Sequence, residues 1–138
     1  MAKALKVGIR AGAGPLPGYL WSVYFLSSAR DEAMDFLNDE QYAHAVDLVR
    51  SLASEQDPTH PVTVTVEAVE DYWELKDKGG VLGKINLRIY FTMNAKNKSI
   101  VILVAIKKED DGQTPNWAKT RVRYRLRKFR EGEFGRLA

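Results

Sequence analysis

Cysteine is absent from the chain, so neither a disulfide framework nor a thiolate metal site can form, and a reducing compartment is the simpler setting. Histidine is nearly absent. His44 and His60 are the two copies, and neither has a second ligand at metal-binding spacing, so no metal site is expected. No apolar run approaches the length needed to cross a bilayer, and residues 1–10, with Lys3, Lys6 and Arg10, never assemble the apolar stretch of a secretory signal. A cytoplasmic protein without a membrane partner is expected. No small-molecule cofactor motif is present either: the GxG within residues 11–18 (AGAGPLPG) lacks a strand feeding it and a Lys-Ser/Thr pair behind it. Gly and Pro alternate with small residues there and deny the segment a regular element. Residues 1–18 are therefore expected to form a flexible arm ahead of a single domain at 19–138.

Acidic residues are scarce in one half only. Up to Gly83 thirteen acids face seven Lys and Arg, whereas from Lys84 onward fourteen Lys and Arg face five acids. The second half is the candidate polyanion-binding half. At 138 residues with 45% hydrophobic content, the chain has enough apolar material for one core.

Residues 19–26 (YLWSVYFL) read as a buried strand. Ser28 stands as a helix cap with Asp31 three residues on, and Ala29, Ala33, Phe36 and Leu37 share a face. A second helix is predicted from Asn38, with Gln41 at the capping-box position and Tyr42, Ala45, Val46, Val49, Leu52 and Ala53 at helical period. Together these form a predicted helical hairpin with a solvated acidic face. Strands follow at 62–69 and 72–76, then a Gly79-Gly80 turn and a β-hairpin of 84–93 and 99–108 joined through 94–98. Thr114-Pro115 reads as a capping hydroxyl with proline at the first helical position, opening a helix that aligns Ala118, Val122, Leu126 and Phe129. The fold class predicted is α+β, a small antiparallel sheet against an N-terminal helical hairpin, with a basic C-terminal helix.

That succession carries a resemblance. Trp73-Glu74-Leu75-Lys76 looks like the Glu-Leu-Arg strand of HigB-like members of the RelE/ParE toxin superfamily. Leu87-Arg88-Ile89-Tyr90-Phe91 resembles the next strand, and residues 100–108 (IVILVAIKK) the strand that ends in paired lysines. Gln113-Thr114-Pro115 is similar to the opening of the family's last helix. Three departures stand out: the long N-terminal stretch, Lys76 where arginine is usual, and the acidic insert Glu109-Asp110-Asp111-Gly112. A lysine lacks the planar two-pronged grip of arginine on phosphate.

The resemblance implies the toxin half of a type II toxin–antitoxin pair, which enters the ribosome and cuts messenger RNA by attack of the ribose 2′-hydroxyl on its own phosphate. Ribosome, message and a cognate antitoxin are the implied partners. Such chemistry needs alignment, cationic stabilisation of the phosphate and proton transfer, with no metal. Arg88 is the leading candidate for the phosphate clamp, because its fork of donors matches two phosphate oxygens. Lys84, Lys76 and Lys108 are candidates for proton transfer, and Arg88 and Lys108 are both expected at exposed positions of the sheet. Lys107 is a candidate RNA-binding residue, and because Lys107 and Lys108 point in opposite directions on a strand only one of them can share a face with Arg88. Trp117 and Tyr124 are candidate stacking platforms, and Arg121 and Arg125 belong to a basic run, from Arg121 to Arg130, read as a polyanion surface. The alternative is a non-catalytic nucleic-acid or protein binding module on the same scaffold.

Overall fold

The computed structural model describes residues 18–110 and 112–133. Residues 1–17 of the expected arm, and Asp111 of the acidic insert, lie outside the described residues.

The aromatic run near the start supplies β1 (Ser22–Phe25), and the chain passes directly into α1 (Ser27–Phe36). The predicted Ser28 cap is not used. Leu26 occupies the N-cap position without a side-chain cap, and its amide donates to the Ile102 carbonyl at 3.0 Å. Sheet pairing thus runs up to the first helical residue and leaves no unpaired turn for a serine to close. At α2 (Asp39–Ala53) the capping box is complete: Asn38 Oδ1 accepts from the Gln41 amide at 2.8 Å, and Gln41 Oε1 accepts from the Asn38 amide at 3.0 Å. Ala45, Val49, Leu52 and Ala53 are the buried positions of this helix, the face its 3.6-residue period assigns.

β2 (Thr65–Ala68) and β3 (Trp73–Asp77) follow, then a 3₁₀ turn (Gly80–Leu82). Gly79 and Gly80 take φ of 80° and 54°, a left-handed conformation that a β-carbon disfavours. β4 (Asn86–Asn94) and β5 (Ser99–Lys108) form the expected hairpin, and α3 (Asn116–Arg130) closes the chain.

The five strands make one sheet in the order β1-β5-β4-β3-β2. The expectation of an antiparallel sheet is corrected by β1, which pairs with β5 in parallel from Ser22 opposite Ser99 to Phe25 opposite Ile102. A strand connected onward through helices is free to lie parallel, because the helices carry the chain back to the other end of the sheet. The other pairings are antiparallel. Each helix of the expected hairpin finds its main support on other elements: α1 packs chiefly on β5, and α2 on β1 and the 3₁₀ turn.

β5 is buried at every residue from Ser99 to Ile106, so both of its faces are covered, and α1 and α3 both pack against it. This explains why its sequence is a continuous apolar run instead of an alternation. The buried side chains form one cluster that includes Leu26, Leu52, Tyr72, Leu75, Leu87, Phe91 and Leu103. Each large apolar side chain enclosed there contributes about 1.5–3 kcal/mol.

Candidate anion-binding cleft

The strand register decides which chemical groups meet. Lys76 lies opposite Arg88, Glu74 opposite Tyr90, and Asn86 opposite Lys108. Side chains alternate between faces, so these six share one face of the sheet and Lys107 projects from the other. At one end of the shared face a shallow cleft of about 310 Å³ is lined by Thr65, Lys76, Asp77, Lys78 and Arg88. Three cations and one carboxylate thus surround a space that opens beside the edge strand β2.

Arg88 was expected on an exposed part of the sheet. It is only 3% exposed, because β4 is the central strand and polar neighbours enclose its side chain. Nη1 donates to Asn86 Oδ1 and to the Leu87 carbonyl, the latter at 3.2 Å. Nε lies 3.5 Å from Glu74 Oε2, an ion-pair distance without a hydrogen bond. Glu74 is itself buried and accepts from the Tyr90 hydroxyl at 2.7 Å and the Thr114 hydroxyl at 3.2 Å. Burial pushes the Tyr90 phenol above its ordinary pKa, the Thr114 hydrogen bond opposes this, and the Glu74 carboxylate reinforces it. Tyr90 is therefore a fixed hydroxyl donor at neutral pH. Thr114, predicted to cap α3, is used by this network instead, and Pro115 holds the N-cap position without a side-chain cap.

Lys108 was likewise expected to be exposed, and it is buried. Its ammonium donates to the carbonyls of Gly112 and Gln113, the second at 2.8 Å, with Asp110 Oδ1 at 3.8 Å. Asn86 Nδ2 donates to the Asp110 carbonyl at 2.7 Å. The lysine pair thus divides: Lys107 is exposed on the opposite face, and Lys108 anchors the loop that leads into α3. Lys76 lines the cleft, and its ammonium pairs with Glu67 Oε1 at 2.5 Å. Lys84 is exposed in the loop before β4 and does not line the cleft.

The basic run on α3 meets acids from distant parts of the sequence. Arg125 grips Glu32 with two bonds of 2.8 Å and also donates to the Leu103 carbonyl at 2.9 Å, and Arg121 reaches Glu32 at 2.8 Å. Arg123 makes a two-pronged contact with Glu70, Arg130 pairs with Asp71 at 2.7 Å, and Lys128 pairs with Glu133 at 3.1 Å. Most of the run read as a polyanion surface is therefore ion-paired. The acids that meet its arginines come from α1 and from the β2–β3 connection, which local sequence does not bring together with α3, whereas the partner of Lys128, Glu133, lies just past the helix. Trp117 and Tyr124 are 53% and 44% exposed, as stacking platforms require. Arg121 lies 5.1 Å over the indole, and Arg127 lies 5.5 Å over the phenol.

Sequence reasoning passed over Glu74, Asn86, Lys78 and the pair formed by Asp77 with His44, whose Nε2 is 2.7 Å from Asp77 Oδ2. The Glu-x-Lys alternation in β3 was the available signal for Glu74, since it places an acid and a base on one face. His44 had none, because its partner is on a strand 33 residues away. Among the described residues no group of three or more His, Cys, Asp or Glu side chains is placed to hold a metal ion, and no helix is long and apolar enough to cross a membrane. No family model, curated protein or solved structure matches the chain.

Proposed function

We propose that this chain is a metal-independent endoribonuclease of the RelE-like type, with HigB-like motifs, that cuts messenger RNA on the ribosome as the toxin of a type II toxin–antitoxin pair. The observation that carries the reading is the register pairing of Lys76 with Arg88 at the cleft they share with Lys78. It places cations from two strands around one shallow cleft, and the two strands are those that carry the family-like motifs. The element order, one strand, two helices, four strands and a last helix, agrees with the order that the resemblance implies.

In this reading the cleft end of the Arg88 fork takes a nonbridging phosphate oxygen and stabilises the charge that grows there. The 2′-oxygen gives up its proton and bonds to phosphorus, and the bond to the 5′-oxygen breaks as that oxygen takes up a proton. Lys76 and Lys78 supply further positive potential. Trp117 and Tyr124 offer rings to unpaired bases. The requirement for a 2′-hydroxyl makes RNA the substrate and excludes DNA. The cytoplasm and a neutralising antitoxin belong to the same proposal.

A second reading, a non-catalytic binding module on the same fold, is favoured by one observation: Lys108, a candidate for proton transfer, is committed to the loop carbonyls. The experiment that separates the two adds the purified protein to a bacterial cell-free translation reaction and maps message ends by primer extension, with and without ribosomes. New breaks within translated codons, present only with ribosomes, are the expected result. An intact message with unimpaired translation leaves the binding module.

A further inference from the structure

Glu74 is a buried carboxylate on the working face of the sheet, and neither the phosphate clamp nor proton transfer as described above uses it. Its surroundings are unusually complete. The Tyr90 and Thr114 hydroxyls both donate to Oε2, at 2.7 and 3.2 Å, and they lie 3.1 Å from each other. The same oxygen lies 3.5 Å from Arg88 Nε. On the other side of the guanidinium, Asn86 Oδ1 and the Leu87 carbonyl hold Nη1. No described residue hydrogen-bonds Nη2, which leaves it as the donor of the fork that can serve the cleft. A guanidinium enclosed to this degree requires a counter-charge, because removing one partner of a buried pair leaves an uncompensated ion.

We propose that Glu74 is the positioning residue for Arg88. With Tyr90 and Thr114 fixing its carboxylate, it sets the rotation of the guanidinium plane so that Nη2 points at the bound phosphate. Thr114 is drawn from the lead-in to α3, so the docking of that helix contributes to the aim of an arginine on β4. This assignment rests on the reading of the cleft as a nuclease site. It adds an acidic residue to a site otherwise described by its cations, and it explains why an acid is tolerated beside a phosphate. Glu74 faces Arg88 and the two hydroxyls, and its side chain does not line the cleft.

The test is single-turnover cleavage of ribosome-bound message by the wild type, Glu74→Gln, Arg88→Ala and the double variant, with the folded state of each checked by circular dichroism. A misaimed catalytic group costs about 100-fold in rate. Glu74→Gln is therefore expected to lower the rate at saturating protein by about that factor, with a much smaller change in the concentration needed to saturate. The double variant is expected to be no slower than Arg88→Ala, because residues acting through one another are non-additive. If the losses multiply, or if Glu74→Gln cuts at the wild-type rate, the positioning role is overturned and the nuclease reading stands. If the wild type does not cut, both fall. Should Glu74→Gln not fold, Thr114→Val removes one hydroxyl from the carboxylate and keeps its charge. Its expected loss is about tenfold, and it must vanish in the Arg88→Ala background.

Discussion

Lys108 holds its ammonium among the carbonyls of Gly112 and Gln113 with Asp110 nearby, so its contribution is to the loop that leads into α3. Substituting alanine removes a charged donor from these carbonyls, and hydrogen bonds to a charged group contribute about 1.5–3 kcal/mol. Lys108→Ala is therefore expected to lower the urea midpoint of unfolding, and any loss of cleavage should follow that loss of stability. Arg88→Ala also leaves the buried Glu74 without its counter-charge and costs stability. Its cleavage, however, is expected to fall by at least about 100-fold in the protein that remains folded, the range seen on removing a donor aimed at a transition-state oxygen. A variant pair in which Lys108→Ala stays fully stable but loses cleavage would reverse these assignments. Sequence alone ranked the two residues together as exposed sheet positions. It could do so because alternation tells which face a side chain takes, but not what covers that face.

Glu32 joins three elements. From α1 it accepts from Arg121 and Arg125 of α3 and, at 3.2 Å, from the Ala105 amide of β5. The bulge in the β4–β5 ladder makes the joint possible: Tyr90 pairs with Val104 and Phe91 with Ile102, so Leu103 is skipped and its carbonyl turns to Arg125. Glu32→Ala strands a mostly buried arginine, and a loss of about 3 kcal/mol in equilibrium unfolding is expected. Arg121→Ala, whose side chain is 42% exposed, should cost less than about 1 kcal/mol. At α2 the complete capping box predicts that Asn38→Ala costs about 1 kcal/mol, measurable by the same titration. That cap was legible because its partners are three residues apart. The Ser28 and Thr114 caps failed because sheet pairing at Leu26 and the Glu74 network claimed the helix starts first.

Across the whole molecule, paired carboxylates govern the response to acid. Glu55 is held below its ordinary pKa by the Thr63 hydroxyl and by the amides of Thr63 and Val62, Asp57 by Thr59, Glu70 by Arg123 and Asp71 by Arg130. A carboxyl whose folded pKa is depressed adds stability above its unfolded value and loses it as pH falls through the folded one. The melting temperature is expected to hold near neutrality and fall below about pH 4.5. At the alkaline end the sign is reversed in pH. Burial pushes the Tyr72 phenol up to about 12, with the Glu70 carboxylate adding to the effect. Its contribution is complete below the unfolded phenol value of about 10 and disappears as pH rises through the folded one. Phenolate absorbance should show Tyr72 still protonated at about pH 11, and a folded protein with every tyrosine ionised there would contradict this. Sequence by itself determined the elements, because apolar period, glycine pairs and capping boxes act over a few residues. It also determined that Arg88 and one lysine of the 107–108 pair share a face, because alternation along a strand is local. Tertiary structure alone decided that β1 lies parallel to β5, that Arg121, Arg123, Arg125 and Arg130 of α3 pair with Glu32, Glu70 and Asp71, and that Arg88 is enclosed with Glu74. Those outcomes depend on pairings between residues 14 to 93 positions apart, and no local pattern encodes which distant charge arrives.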